Sequence, residues 1–383
     1  MPHHHSIADC RLCRSVLPSA PIVEMGPFPK AAQHFPSRSE TKEDIGVQLE
    51  VFQCQQCDLV QLRSAPVGYY REVITAATLS SRAQATRLAE IVRFVERYEL
   101  GGRRALEVGC GKGGMLNVLG AAGLVAEGLE FGDLSCCPPT SSTAPTIHRG
   151  YLGDRHLPHK SDVFFCFNYL EHQPDILTFI RDLAKSITVG GMGYITVPNL
   201  DYLIESRCLY EFVADHLVYF TEDTLRRAFE FNGFSVLETR IINNDNDILM
   251  IVRRRSPRNL SADTACLRNV SNALNTLVAA EVDAGRPVAV WGAGHRTLAL
   301  LSVSGQKSIE FIVDSAPFKQ GKFSPVMGTP IVSPSTLESS QVELVIVMVP
   351  GIYPQEVLQT IKSFKRKMGF EVVVLEGNSF VKK

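Results

Sequence analysis

The sequence predicts an α/β protein built on an open, mostly parallel sheet with helices on both faces. Apolar runs typical of buried strands alternate with helical segments between residues 104 and 233, and a second alternation of the same kind follows residue 287. Such alternation is typical of parallel, doubly wound sheets. Two Cys-x-x-Cys pairs precede the first alternation and predict a small metal-binding module near the N-terminus.

Length and composition agree with this class and exclude several others. The chain has 383 residues, enough for two or three domains, and its 45% hydrophobic and 21% charged residues are ordinary for a globular protein. Lysine and arginine number 39 against 40 aspartate and glutamate, so no net field favours nucleic acid or a membrane surface. The longest apolar run, near residues 344–349, is far shorter than a membrane span, and the polar first nine residues do not read as a signal peptide. We therefore expect a cytoplasmic protein that binds neither nucleic acid nor membrane.

Four cysteines predict a structural zinc site. Cys10 and Cys13 form one Cys-x-x-Cys pair, Cys54 and Cys57 form the other, and 40 residues lie between the pairs. Two such knuckles can place four thiolates around one tetrahedral ion. Disulfides are disfavoured in a reducing cytoplasm, and a redox pair is disfavoured because neither knuckle follows a βαβ pattern. Since four thiolates leave no open coordination position, we predict a structural zinc in a domain of residues 1–72.

The middle of the chain predicts the main sheet domain, residues 73–255. Apolar residues recur at helical spacing between residues 80 and 100, and Gly101-Gly102 ends that helix. The expected strands cover residues 104–108, 124–130, 162–168 and 193–197. The expected helices between and after them cover residues 115–122, 176–186 and 221–231.

The run RRRSPRN at residues 253–259 predicts a linker to a C-terminal domain, residues 256–383. A long helix is expected over residues 260–284. The strands of the second alternation are expected over residues 287–291, 309–313, 342–349 and 370–375.

A glycine-rich turn after the first main strand is the strongest functional signal. The strand contains Glu107 and is followed by Gly109, Gly111 and Gly113, so the backbone turns sharply and opens a helix. A dinucleotide site favours G-x-G-x-x-G, whereas the third glycine here follows after one residue. This form resembles the first motif of class I S-adenosylmethionine methyltransferases. The resemblance implies that the turn lies beside the methionine part of the cofactor, and that Glu130, 21 residues after Gly109, holds the ribose hydroxyls.

The whole chain resembles the three-domain sugar C-methyltransferases of deoxysugar biosynthesis. The stretches that carry this resemblance are CQQCDLVQL from residue 54, the glycine turn, LEH and PD within 170–175, DH and YFT within 215–221, WGAG from residue 291 and DSAPFKQG from residue 314. The resemblance implies a class I methyltransferase Rossmann-like domain with a small N-terminal zinc domain and a second Rossmann-like C-terminal domain. It also implies S-adenosylmethionine and structural zinc as cofactors.

Members of this family methylate a ring carbon next to the ketone of a nucleotide-linked 4-keto-6-deoxysugar. Such a carbon becomes nucleophilic only after a base removes its proton, while a donor stabilises the enolate oxygen. The resemblance implies His216 as the base, His172 as a second polar group of the cleft and Asp215 as the residue that orients them. Two structural alternatives stay open, in which His172 only shapes the cofactor pocket and His216 only bridges a loop.

One departure from the family concerns this catalytic run. The family has Tyr-x-Glu-His where this chain reads VADH at residues 213–216, so an aromatic hydroxyl is missing and the acid is shorter. Tyr210, Glu211 and Tyr219 are candidate substitutes. The segment YYRE at residues 69–72 offers another hydroxyl, and we assign Tyr70 to the active site. The departure weakens the case for carbon methylation more than the case for methyl transfer.

Further cofactor contacts follow from the same resemblance. Phe131 is expected to cover the adenine, and Asn168 follows the fourth strand into the cofactor pocket. Ser80 and Arg87 are expected to reach the cofactor carboxylate. Together with the glycine turn and Glu130, these residues make up the predicted cofactor site.

A second glycine turn, Gly292-Ala293-Gly294, opens the C-terminal alternation. Asp314 closes the next strand 22 residues after Gly292, as in a dinucleotide site. Thr297 stands where such a site has its third glycine, which weakens an NAD-binding interpretation. The resemblance assigns this domain help in holding the nucleotide end of the substrate, and a purely structural role is the alternative.

Other functions stay open from the sequence. O- or N-methylation of another carbohydrate or small metabolite needs a base but no enolate, and would suit the altered VADH run. An RNA methyltransferase with a zinc ribbon is disfavoured by the near-zero net charge. A non-catalytic module that senses S-adenosylmethionine would bind the cofactor without turnover. The expected partner is a small-molecule substrate, a nucleotide sugar, and the sequence predicts no oligomeric state.

Overall fold

The computed structural model describes residues 8–31, 35–41, 45–71, 81–132, 145–153, 157–261, 263–363 and 369–383. The chain divides into two compact units, Met1–Ser256 and Pro257–Lys383. The division lies next to the sequence-predicted boundary after residue 255. The other predicted boundary, after residue 72, lies inside the first unit.

A four-stranded antiparallel sheet carries the cysteine segment. Its strands follow the order β1-β2-β3-β9 and are β1 (Val23–Phe28), β2 (Val47–Gln53), β3 (Val60–Leu62) and β9 (Val218–Tyr219). The last strand comes from a distant part of the sequence, with Val60 paired to Tyr219 and Gln61 to Val218. The N-terminal sheet is therefore completed by a strand that begins two residues after His216.

The main sheet of the first unit has seven strands in the order β10-β11-β8-β7-β4-β5-β6. They are β4 (Arg104–Val108), β5 (Val125–Glu130), β6 (Thr146–Arg149), β7 (Ser161–Phe167), β8 (Ile187–Pro198), β10 (Phe234–Ile242) and β11 (Asp247–Arg254). Neighbouring strands from β8 to β6 are parallel, and β11 runs antiparallel to both β8 and β10. The predicted α/β class with a mostly parallel doubly wound sheet is confirmed.

Some helices of the first unit begin at side-chain caps. They are α1 (Ser81–Arg97), α2 (Gly114–Ala121), α3 (Ile176–Ser186), α4 (Leu200–Glu205) and α5 (Glu222–Glu230). The side chain of Asp175 accepts a hydrogen bond from the backbone of Thr178 at the start of α3, and Thr221 and Thr224 form a reciprocal cap on α5. Such caps satisfy backbone N–H groups that have no partner within the helix.

The two faces of the main sheet are buried in two separate apolar clusters. On β7, Phe164 and Cys166 belong to one cluster, while Val163 and Phe165 belong to the other. Alternate residues of a strand point to opposite faces, so both faces of β7 are covered. A strand that is buried on both faces is expected to be continuously apolar, and this explains why the sequence run VFFCF predicts it.

The second unit contains a six-stranded sheet in the order β14-β13-β12-β15-β16-β17. Its strands are β12 (Val288–Trp291), β13 (Phe311–Val313), β14 (Ile331–Val332), β15 (Leu344–Val347), β16 (Glu371–Glu376) and β17 (Ser379–Lys382). Its helices are α6 (Asp263–Asp283), α7 (His295–Ser304), α8 (Thr336–Ser339) and α9 (Tyr353–Ser363). All strand pairs are parallel except β16 with β17.

The arginine run at residues 253–255 begins at the end of a strand, as expected for a solvated strand end before Pro257. Arg253 and Arg254 are the last residues of β11, so only the part of the expected linker after Arg254 lies outside the sheet. Arg253 pairs with Ser235 of β10 and Met192 of β8, so the strand continues although its end is charged. No helix within the described ranges is long and apolar enough to cross a membrane.

Candidate active site and cysteine cluster

The carboxyl end of the main sheet has the topology of a ligand-binding edge. The chain leaves β4 towards β5 and β6 on one side, whereas β7 and β8 lie on the other side of β4. Ligands of open α/β sheets bind where the strand order reverses in this way. The predicted cofactor residues follow the strands that meet at this point, namely the glycine turn after β4, Glu130 at the end of β5 and Asn168 after β7.

The glycine turn adopts a backbone that favours glycine at each predicted position. Gly109, Gly111 and Gly113 have φ angles of 75°, 54° and 79°, all in the left-handed region. A side chain at Gly109 would also collide, because its Cβ would lie 2.3 Å from Cδ2 of Tyr169. Gly113 is the N-cap of α2. The turn therefore forms an open backbone cradle at the start of a helix.

Replacement of Gly109 by alanine should destroy this turn. The strained φ and the collision with Tyr169 together predict destabilisation by about 2–5 kcal/mol, with loss of cofactor binding. Urea unfolding and calorimetric titration with S-adenosylmethionine measure both effects. Gly120→Ala is the matched control, because it lies within α2 and its Cβ would meet no atom within 4 Å. A Gly109→Ala variant as stable as the Gly120→Ala variant would contradict the turn geometry.

The carboxylate of Glu130 closes the turn. One oxygen accepts a hydrogen bond of 2.7 Å from the backbone of Gly111, and the other accepts one of 2.8 Å from Gly132. Each carboxylate oxygen has a further lone pair, so Glu130 keeps the capacity to accept hydroxyl donors. This arrangement is compatible with the predicted contact to ribose hydroxyls.

Glu107 is a buried acid with an unsatisfied oxygen beside this turn. Its side chain is 4% exposed, and Oε2 has no hydrogen-bond partner among the described residues. Burial, followed by the charge of Glu130, raises the pKa of Glu107 well above its ordinary value. A buried polar atom without a partner is costly. The glycine cradle and this orphaned atom together fit a polar ligand such as S-adenosylmethionine.

The other predicted cofactor residues contact different parts of the first unit. The ring of Phe131 meets that of Tyr151 edge-on, with centroids 5.8 Å apart. The amide of Asn168 is held by Thr196 and Asp247 at 2.7 and 3.0 Å, towards β8 and β11. Arg87 lies on α1, with its guanidinium 3.7 Å from Glu90. Ser80 and the side chain of Tyr70 lie outside the described residues.

A second polar group forms around the two predicted histidines. His172 ends a short 3-10 turn after β7, and His216 lies in the loop that precedes β9. Their ring centroids are 4.8 Å apart, although the two residues are far apart in sequence. The Nδ1 atom of His172 lies 2.9 Å from the backbone oxygen of Asp215, so Nδ1–H donates to this carbonyl. The structure therefore brings His172, Asp215 and His216 together, as the sequence predicts.

The phenolic hydroxyl of this group comes from Tyr69. This hydroxyl donates to the carboxylate of Asp215. Among the candidate substitutes, Tyr210 is 71% exposed and Glu211 is exposed as well, whereas the Tyr219 hydroxyl lies 2.9 and 3.2 Å from the backbone nitrogen and oxygen of Val213. We predicted the adjacent Tyr70 for this role. The sequence indicates a tyrosine pair at this position, but it does not show which of the two contacts Asp215, because that contact spans 146 residues.

Partial burial favours the neutral form of both histidines. It lowers the pKa of His172, and burial together with His172 lowers the pKa of His216 to about 3. A neutral imidazole at pH 7 retains a nitrogen lone pair that can accept a proton. Protonation of the imidazole alone would place a charge in a partly buried position.

Glu171 lies next to these histidines and was given no role by the sequence analysis. It is 1% exposed, and burial followed by the charge of Asp247 raises its pKa to about 8. Its Oε2 atom has no hydrogen-bond partner among the described residues. The sequence does not predict that Glu171 is buried, because its burial depends on strands and loops that are distant in the sequence.

The four predicted zinc ligands form one cluster. The sulfur atoms of Cys10, Cys13, Cys54 and Cys57 all lie within 4.8 Å of one another. The Cys10–Cys57 and Cys13–Cys54 sulfur distances are both 3.5 Å, far longer than the roughly 2 Å of a disulfide bond. Four thiols at this spacing match the number and type of ligands that structural zinc takes.

The two cysteine knuckles share one backbone pattern. The amides of Cys10 and Cys54 donate to the carbonyls five residues later, at 2.8 and 3.0 Å. The amides of Arg14 and Asp58 donate back to Cys10 and Cys54 at 3.0 and 2.9 Å. Arg14 and Asp58 also occupy the left-handed region, with φ of 69° and 63°. Two loops of different sequence therefore adopt the same turn, each presenting two thiols to the same point.

Arginines from the first knuckle hold the segment that carries His172. The guanidinium of Arg11 is buried and donates to the carbonyls of Pro174, Leu62 and Ser64 at 2.9, 3.3 and 2.6 Å. Arg14 forms an ion pair with Asp175. The cysteine cluster is thus tied to the chain immediately after His172.

The second glycine turn differs from a dinucleotide site at its acidic residue. The carboxylate of Asp314 accepts hydrogen bonds from the backbone of Ala293 at 2.8 Å and Ala316 at 2.9 Å, and from Lys319 at 2.9 Å. A ribose-binding acid needs lone pairs directed at the ligand. Asp314 thus differs from Glu130 in its additional ion pair with Lys319, which occupies part of the carboxylate, in line with the weak NAD-binding fingerprint.

Comparison with protein families divides the chain into two matched regions. Residues 80–239 match a family described as a methyltransferase domain, and residues 260–375 match one described as a C-methyltransferase C-terminal domain. Each of these matches covers less than half of the chain. The methyltransferase class that the sequence predicts is borne out for these two regions by the family matches.

Curated relatives are similar to part of the methyltransferase. Ubiquinone biosynthesis O-methyltransferases of Pseudomonas putida (strain W619) and Pseudomonas fluorescens (strain SBW25) are each 26% identical over 111 residues, which is 27% of this chain and 48% of the relative. The chain thus spans about half the length of the curated relatives it matches.

Solved structures with similarity to the chain are also methyltransferases. Magnesium protoporphyrin IX methyltransferase from Synechocystis PCC 6803 with bound SAH is 17% identical, with a TM-score of 0.36, over 47% of this chain and 90% of that structure. An S-adenosylmethionine-dependent methyltransferase from Mesorhizobium loti is 17% identical, with a TM-score of 0.36, over 44% of this chain and 100% of that structure.

Proposed function

We propose that the protein transfers a methyl group to a ring carbon next to the ketone of a nucleotide-linked 4-keto-6-deoxysugar. The observation that carries this proposal is a half-buried, neutral His216 beside His172 and Asp215, in a chain whose residues 260–375 match a C-methyltransferase C-terminal domain. A neutral histidine is the type of base that carbon methylation requires. Methylation of an already nucleophilic oxygen or nitrogen makes a smaller demand on such a base.

The chemistry of the proposal assigns one task to each member of the histidine group. His216 removes the proton from the carbon next to the ketone, and the electron pair moves to the ketone oxygen. His172 is held by the Asp215 carbonyl with Nδ1 protonated, so its orientation and tautomer are fixed. Tyr69 fixes the Asp215 carboxylate and supplies the hydroxyl that the VADH run lacks. A positioned general base such as His216 contributes about 10²–10⁴-fold to the rate.

The cofactor site of the proposal is the cradle after β4. Gly109, Gly111 and Gly113 would hold the methionine part, while Glu130 would hold the ribose and Phe131 the adenine. S-adenosylmethionine supplies an activated methyl group on a positively charged sulfur when bound. The buried acid Glu107 would donate or accept a hydrogen bond there, which satisfies its orphaned oxygen.

The metal of the proposal is a structural zinc held by Cys10, Cys13, Cys54 and Cys57. Four thiolates complete its coordination, so the ion takes no part in methyl transfer.

We also propose that the chain has three domains: a zinc-binding domain of residues 1–72, a methyltransferase domain of 73–255 and a Rossmann-like domain of 256–383.

The proposed function is tested by methyl transfer from S-adenosylmethionine labelled with ¹³C in its methyl group. The full chain is incubated with a panel of nucleotide-linked 4-keto-6-deoxysugars, and the product is examined by NMR. We expect the labelled methyl to couple to a ring carbon next to the ketone. A methyl group on oxygen or nitrogen would instead support the alternative that the similarity to ubiquinone biosynthesis O-methyltransferases suggests, methylation of another small metabolite.

A further inference from the structure

We propose that Glu171 is the proton partner of His216. In this proposal the outer nitrogen of His216 takes the proton of the substrate, while the inner nitrogen passes its own proton to the carboxylate of Glu171. The proposal rests on the proposed function for the identity of the reaction. The pairing of the two side chains rests on the structure alone.

The geometry places an otherwise unused carboxyl group next to the base. Glu171 is 1% exposed, so its carboxyl group is shielded from solvent. One oxygen of Glu171 and one nitrogen each of His172 and His216 lie within 4.8 Å of one another. The backbone fixes this relation, because the Leu217 amide donates to the Glu171 carbonyl at 2.8 Å. Hydrogen bonds of catalytic groups are often long before substrate binds and shorten afterwards.

His216 fits the pairing better than His172. The Nδ1–H of His172 donates to the backbone oxygen of Asp215, so that nitrogen is used. No hydrogen bond joins the ring nitrogens of His216 to other residues in the described part of the chain. The free oxygen of Glu171 and a ring nitrogen of His216 are therefore complementary. A carboxylate that accepts the inner N–H leaves the outer nitrogen with its lone pair, as a base requires.

The proton balance of the step explains why a partner is needed. A C–H bond of the substrate breaks, its electron pair becomes the enolate, and an N–H bond forms on the outer nitrogen of His216. The inner N–H bond breaks and an O–H bond forms on Glu171. The pair thus changes from charge −1 to neutral, and no partly buried imidazolium forms. The proton returns to water by the reverse route after the product leaves.

The surroundings of Glu171 favour its protonated form after the step. The titratable groups that face it are Asp247, Cys166, His172, His216 and Tyr219. None of these is a permanent cation, and burial together with Asp247 raises the pKa of Glu171 to about 8. His216 alone would be a weak base, because its own pKa is lowered to about 3. Coupled to Glu171, it becomes a base that accepts a proton near neutral pH.

The coupling predicts a specific pH dependence. The reactive form has Glu171 ionised, and its pKa is raised above the ordinary carboxyl value. Acid therefore removes the reactive form, and kcat/KM should rise with pH through about 8. In Glu171→Gln this rise should disappear, and kcat should fall at least 100-fold while the Kd for S-adenosylmethionine stays within twofold.

Histidine NMR on the full-length protein tests the pairing without any substrate. The ring ¹⁵N signals of His216, assigned with His216→Ala, report which nitrogen carries the proton. We expect the wild-type signals to change between pH 7 and 9 and the Glu171→Gln signals to stay constant. Glu127→Gln is the matched control, because it removes a carboxylate paired with His148 and His159 elsewhere on the sheet. It should leave the His216 transition and methyl transfer intact.

Each outcome decides the proposal. An unchanged His216 transition in Glu171→Gln, or full activity of that variant, would overturn it. So would metal analysis that finds a second divalent ion per chain, lost on Glu171→Gln. If Glu171→Gln does not fold, Glu171→Asp takes its place. A Glu171→Asp variant that keeps the pH-dependent change of the His216 signals but transfers methyl groups more slowly supports the pairing. A variant that loses this change and keeps the full rate of methyl transfer overturns it. Failure of the proposed function is distinguishable, because wild type would then show the NMR transition but no carbon-bound methyl.

Discussion

Replacing His216 by alanine should reduce methyl transfer by about 10²–10⁴-fold and leave the affinity for S-adenosylmethionine unchanged. The reason is the separation of two groups at the carboxyl end of the main sheet. The cofactor cradle is built from the turn after β4 and the end of β5, whereas His216 lies in the loop before β9. Single-turnover rates and calorimetric cofactor titration measure the two quantities independently.

The control for this prediction is His159→Ala. His159 pairs with Glu127, away from the histidine group, so its loss should change neither quantity. Normal turnover in His216→Ala would show that His216 only bridges its loop. A large loss of cofactor affinity would show that it shapes the cofactor pocket, and either result would remove the proposed base.

Replacing Cys54 by serine should release the metal and unfold the N-terminal sheet. Cys54 is fully buried in the cluster of four thiols, and structural zinc sites contribute on the order of 10 kcal/mol to folding. The effect should extend to the histidines, because β9 completes the N-terminal sheet and Arg11 and Arg14 hold the segment after His172. We therefore expect methyl transfer to be lost as well.

Metal analysis and urea unfolding of the purified variant check this prediction. Cys208→Ser is the matched control, since Cys208 lies in the same unit but outside the cluster. It should keep one zinc per chain and the stability of wild type. Wild-type protein without bound zinc, or a Cys54→Ser variant with an unchanged unfolding curve, would contradict the structural zinc site.

Local sequence signals predicted the parts of the fold that depend on neighbouring residues. β4 and α3 have the predicted bounds, because an apolar run before a glycine turn and an amphipathic pattern after an aspartate cap act within a few residues. The two-residue strand β9 was not predicted. It exists only because it pairs with β3, more than 150 residues earlier. The β10–β11 hairpin was not predicted, because β10 is only partly buried and its turn NNDN at residues 243–246 leads into β11 without a glycine.

In the candidate site, too, local features could be predicted from the sequence and long-range contacts could not. The glycine turn, Glu130 and the four cysteines carry their spacing in the sequence, so their placement could be predicted. Tyr69 reaches Asp215 across 146 residues, and no spacing rule connects them. The environment of Glu171 was equally invisible, because elements distant in the sequence bury it next to His216.

Solvent deuterium exchange in the absence of S-adenosylmethionine tests enolate formation most directly. Wild-type protein is incubated in deuterated water with a nucleotide-linked 4-keto-6-deoxysugar, and the sugar is analysed by mass spectrometry. We predict one deuterium on the carbon next to the ketone, at a rate at least 100-fold lower in His216→Ala. A substrate that is methylated when the cofactor is added but takes up no deuterium without it, or takes it up equally with His216→Ala, would contradict an enolate formed by His216.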